Sequence, residues 1–78
     1  MPRTDLLRFF EQTLRLREHS LTGRESLSSV PNWDSLTTLN FMVMVDRTFG
    51  VPLKGSRVLA CETVDDLLNL IDGARMAA

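Results

Sequence analysis

Between Trp33-Asp34 and Gly50-Val51-Pro52 the chain runs from Ser35 to Phe49 without a glycine or a proline. Such a segment, opened by capping side chains and closed by glycine, predicts one long α-helix. Either Asp34 or Ser35 can supply the cap. Leu36, Leu39, Phe41, Met42, Val43, Met44, Val45 and Phe49 make the helix apolar over much of its circumference. Phe41, Val45 and Phe49 line one face suited to a core. Leu36, Asn40, Val43 and Arg47 line another at helical spacing. A helix that is apolar on more than one face is either deeply buried or offers a surface to a partner.

The rest of the chain also reads as helix and loop. Thr4 is a candidate N-cap for a first helix, with Asp5 in its first turn and no breaker before Gly23. Leu6, Leu7, Phe10 and Leu14 form its core stripe, leaving Arg8, Glu11, Arg15 and Glu18 on the wetter side. Glu11 and Arg15 stand in the favourable order for a side-chain pair across one turn. From His19 to Asp34 polar and turn residues dominate, and Leu21, Leu27, Val30 and Trp33 punctuate them. This is expected to be a long ordered loop pinned across the helices. Lys54 to Ala60 can form a short helical turn, with Ser56 as cap and Val58 and Leu59 inward. Thr63-Val64-Asp65-Asp66 resembles a capping box, with Asp66 in place of the usual Glu or Gln. Val64, Leu67, Leu68 and Ile71 give the last helix its stripe. Gly73 is expected to end it, leaving Ala74 to Ala78 frayed. The expected fold is all-α: a small four-helix bundle of three main helices and one short one, with a long first loop and no strand.

Composition narrows the function. With 78 residues there is room for one domain, 1–78, and one small core. Nine Lys and Arg against ten Asp and Glu leave a net charge of −1, which argues against a nucleic-acid partner. A single Cys and a single His exclude an intramolecular disulfide and a Cys- or His-built metal site. No apolar run approaches the ~18 residues of a membrane span, and no secretory signal is visible. The simplest expectation is a cytoplasmic monomer. Cys61 and His19 lie far apart in the sequence with no reason to meet, and no nucleophile–base set stands out. Cys61 reads as a small apolar residue, His19 as a solvated helix-end residue, and Trp33 as an anchor for the loop.

Trp33-Asp34-Ser35-Leu36, the unbroken helix to Phe49-Gly50-Val51, and Glu62-Thr63-Val64-Asp65-Asp66-Leu67 together resemble the acyl carrier protein family. In that family an Asp-Ser-Leu triplet opens the second helix, Phe-Gly often closes it, and Thr-Val-x-x-Leu opens the last. The order of elements agrees over nearly the whole chain. The resemblance implies a 4′-phosphopantetheine arm, drawn from coenzyme A, on Ser35, with Asp34 as motif residue and helix cap. It also implies a carrier rather than an enzyme, whose acyl cargo is held as a thioester on the arm.

The implied partners are a phosphopantetheinyl transferase, an acyl-loading enzyme, and condensing, modifying or acyl-transferring enzymes. They would dock on Leu36, Leu39, Asn40, Val43 and Arg47. In one respect the sequence departs from the family: many carriers have several acids on this helix, whereas here Asp46 and Arg47 cancel. That points to a discrete carrier in a specialised fatty-acid or polyketide-type pathway. The alternatives are an aminoacyl or peptidyl carrier, and a helical interaction module in which Ser35 stays unmodified.

Overall fold

The structure is a computed structural model that describes residues 3–77. The elements are α1 (Arg3–Thr13), a single 3-10 turn (Leu27–Ser29), α2 (Ser35–Phe49), α3 (Gly55–Leu59) and α4 (Val64–Ala77). No strand forms among the described residues; an isolated antiparallel bridge joins Ser26 to Thr63. The expected bundle of three main helices and a short one is therefore what the chain adopts.

The apolar stripes meet in one core. Leu6, Leu7, Phe10 and Leu14 from α1 pack with Phe41 and Val45 of α2, Val58 of α3, and Val64, Leu67, Leu68 and Ile71 of α4. Leu21, Leu27 and Val30 of the first loop are buried in the same cluster, as their spacing within a polar stretch suggested. Phe9 and Phe49 stay half-buried at its margin and meet edge to face, with ring centroids 5.0 Å apart.

Glu11 departs furthest from the sequence expectation. It is 1% exposed, not on the wet face, and pairs with Arg8 rather than Arg15. The cause is an early helix end. After Thr13 the chain turns: the amide of Leu16 donates to the Glu11 carbonyl at 2.8 Å, and that of Arg15 to the Gln12 carbonyl at 3.1 Å. Arg15 takes φ 58, the left-handed conformation that closes a Schellman motif. The loop thus begins at Leu14 and folds back over the helix, and His19 lies within it. The amides of Leu21 and His19 donate to the Glu11 carboxylate at 2.9 and 3.1 Å. Burial pushes this carboxyl pKa up, but Arg8 and those two amides outweigh it and hold it below the ordinary value.

The loop is then zipped to the start of α4. The Leu27 amide donates to the Glu62 carbonyl at 2.8 Å, Val64 to Glu25 at 3.0 Å, and Asp65 to Gly23 at 2.7 Å. Gly23 has φ 103, and a Cβ there would stand 2.2 Å from an Asp65 carboxylate oxygen. Asp65 is itself held by Arg3 at 2.7 Å. The capping box at α4 forms as the sequence suggests. The Asp66 amide donates to the Thr63 hydroxyl, while the Glu62 and Thr63 amides donate to the Asp66 carboxylate, each at 3.1 Å.

Other local expectations are corrected. Thr4 lies inside α1 instead of capping it. Lys54, not Ser56, occupies the position before α3, and no side chain caps that helix. Only Val58 turns inward there; Leu59 is 82% exposed, because successive helical residues point ~100° apart. Gly73 does not end α4, which continues through Ala77; the frayed end expected there extends to residue 78, outside the described residues.

Two variants test these contacts. Glu11→Ala removes the acceptor of two loop amides and the partner of Arg8, and should cost about 3 kcal/mol in urea unfolding. The Glu11 pKa is lowered by folding, so its contribution is full above the unfolded value of about 4.3 and is lost as pH falls through the folded value. Glu11→Gln should accordingly flatten the acid limb of the stability profile. Gly23→Ala combines a left-handed φ with a collision at Asp65, and should destabilise by about 1–3 kcal/mol in the same measurement.

Candidate functional site

The start of α2 is held by packing on one side and capping on the other. Trp33, half-buried, rests against Phe10 and Phe41 at ring-centroid distances of 5.4 and 6.0 Å, and anchors the loop as its position suggests. The Asn32 side-chain amide donates to the Leu14 carbonyl at 3.2 Å, tying the loop's end to the end of α1. Asp34 follows in an extended conformation, and its carboxylate accepts from the Thr37 amide at 2.8 Å. Its carbonyl accepts from the Thr38 amide at 2.8 Å and the Thr38 hydroxyl at 2.6 Å. The Thr37 amide, ahead of all other influences, holds the Asp34 carboxyl below its usual pKa. Of the two candidate caps, Asp34 is the one used.

Ser35 is therefore the first residue of α2, exposed, and not consumed by capping. Its side of the helix borders an apolar cavity of about 250 Å³ between α2 and α3, lined by Ser35, Thr38, Leu39, Met42, Gly55 and Leu59. The sequence places both Val58 and Leu59 inward, and the position of Leu59 on this cavity comes from the structure. The cue was present: a one-turn helix cannot direct two adjacent residues inward.

The face proposed from spacing is solvent-exposed. Leu36, Leu39 and Val43 are 68%, 59% and 52% exposed, and Asn40 and Arg47 are exposed beside them. Arg47 lies about 18 Å along the helix axis from Ser35 at 1.5 Å per residue, so it stands on the exposed face of α2 outside the serine's surroundings. Cys61 is half-buried, and its thiol donates to the Arg57 carbonyl at 3.4 Å. Burial, and then the Asp66 charge, push its pKa up, so it is a poor nucleophile. No metal-holding group of His, Cys, Asp or Glu occurs among the described residues, and none of their helices is long and apolar enough to cross a membrane.

A family profile described as phosphopantetheine attachment site matches residues 4–71. The chain belongs to this family of carrier proteins. Among solved structures, the holo acyl carrier protein of Geobacter metallireducens is similar at 27% identity and a TM-score of 0.78. The match covers 99% of this chain and 88% of that one. No curated protein matches significantly. The four helices without strands are those of the acyl carrier fold. Members of the family are carriers and not enzymes, and membership implies a 4′-phosphopantetheine group. The start of α2 suits such a group: an exposed hydroxyl stands where first-turn amides and the helix dipole favour a phosphate, and an apolar cavity adjoins it.

Asp34→Ala should leave the carrier folded but loosen the first turn of α2. Faster amide hydrogen exchange at Thr37 and Thr38, with little change in α4, is the expected result. Acid should do the same to the wild type. The Asp34 pKa is lowered by folding, so its capping contribution is present above the unfolded carboxyl pKa and is lost as pH falls through the folded one.

Proposed function

We propose that the chain is an acyl carrier domain spanning 1–78, with 4′-phosphopantetheine joined to the Ser35 oxygen by a phosphodiester. The observation that carries this reading is the division of labour at the start of α2. Asp34 makes the cap, and Ser35 stands exposed at the first helical position with its hydroxyl outside the cap. When bound, the arm supplies a terminal thiol that holds acyl groups as thioesters. Ser35 anchors it on a rigid element, and first-turn amides counter the phosphate charge. Leu39, Met42 and Leu59 offer an apolar acyl end partial shelter. Tethering raises the effective concentration of cargo at each docked enzyme.

A phosphopantetheinyl transferase and acyl-handling enzymes are the family's partners. For this chain we assign their docking to Leu36, Leu39, Asn40, Val43 and Arg47. The exposed apolar side chains would supply the contact, and the cancelling Asp46 and Arg47 leave little field for steering. The neutral helix favours a specialised fatty-acid or polyketide-type pathway with a dedicated acyl-loading enzyme and a condensing, modifying or acyl-transferring enzyme.

Intact mass after incubation with coenzyme A and a broad-specificity phosphopantetheinyl transferase should rise by one phosphopantetheine. Ser35→Ala, still folded, should show no gain; a gain in that variant would move the site elsewhere. Partner affinity should fall only shallowly with added salt and strongly on Val43→Asp, both read by titration calorimetry. A steep salt dependence would overturn the apolar docking mode.

A further inference from the structure

The Schellman turn that ends α1 places an arginine where glycine is the usual residue. An L-residue at φ 58 is disfavoured there, and the turn needs the backbone angle, not the side chain. Arg15 is exposed and makes no ion pair with any described residue, so nothing in the fold accounts for its guanidinium. It lines a polar cleft of about 480 Å³ between the end of α1 and the start of α2, with Thr13, Asn32, Asp34, Thr37 and Asn40. Asn32 also has a left-handed backbone, at φ 68.

We propose that this cleft is a resting site for the polar, pantetheine part of the arm, with Arg15 as its cationic wall. The inference rests on Ser35 as the attachment point. Pantetheine is a chain of amides and a hydroxyl, and needs donors and acceptors along its length. The cleft offers both. Asn32 uses its amide N–H on Leu14 and leaves its carbonyl oxygen to accept. Thr13 donates its hydroxyl to Phe9 and keeps an accepting oxygen. One Asp34 carboxylate oxygen is taken by Thr37, leaving the other. Arg15 and Asn40 add donors, and the Arg15 charge offsets that of Asp34 for an arm that carries a phosphate. The cavity on the Ser35 side has almost no polar lining and cannot satisfy those amides. Asp34 lines the cleft and directly precedes Ser35, so an arm rooted at Ser35 starts at the cleft's edge.

The test is backbone amide NMR of the apo protein against the arm-bearing protein, after intact mass has confirmed loading. Thr13 and Arg15 are remote from Ser35 in sequence, and their amides, together with that of Asn32, should shift clear of the chain's median. Arg15→Gly relieves the backbone, and should match or exceed wild type in Tm and load fully by mass. It should lose the shifts at Thr13 and Asn32. Loading with shifts confined to residues 34–38, or to Leu39, Met42 and Leu59, overturns the proposal. So does a Gly variant that keeps the wild-type shifts at Thr13 and Asn32. Absence of any mass gain refutes the Ser35 attachment itself, and the cleft's role with it.

Discussion

One buried carboxylate organises this small protein. Glu11 accepts from the amides of His19 and Leu21 and pairs with Arg8, so the first loop has its own hydrogen-bond partner inside the bundle. Buried backbone amides must be satisfied, and a long loop lacks a helix or sheet ladder to do it. With the loop pinned there, Leu21, Leu27 and Val30 enter the core and the backbone reaches the start of α4. Without that anchor the His19 and Leu21 amides would lose their buried acceptor, and the first half of the loop would be held only by packing and by its bonds further along to the start of α4.

What the loop delivers is the start of α2. Trp33 packs on Phe10 and Phe41, Asn32 ties to Leu14, and Asp34 caps the helix. Those contacts set the position and direction of Ser35 from outside α2 itself. The helix then divides its apolar residues between two roles. Phe41 and Val45 are fully buried, while Leu36, Leu39 and Val43 stay in water. Exposed apolar side chains on a helix without net charge are suited to the docking role proposed for this face. Cys61 is half-buried, and burial and then the Asp66 charge push its thiol pKa up.

The sequence alone determined the existence of the helices, the extent of α2, the capping box at Thr63 and the identity of the loop's apolar pins. These follow from local rules: breakers, caps and a helical period that hold wherever the segment sits. It also singled out Ser35 and the stripe Leu36, Asn40, Val43 and Arg47. Tertiary structure decided which of the two candidates caps α2, that Glu11 is an interior acceptor, that α1 stops at Thr13, and that Leu59 faces the Ser35 cavity. The buried Glu11 acceptor and the Leu59 cavity depend on other segments of the chain, whereas the Asp34 cap and the turn after Thr13 are local choices among alternatives that periodicity leaves open. Glu11 reads as surface by period and becomes interior only because the returning loop supplies two amides to satisfy it. Leu59 reads as core by composition and is outward because α3 is a single turn with one buried position.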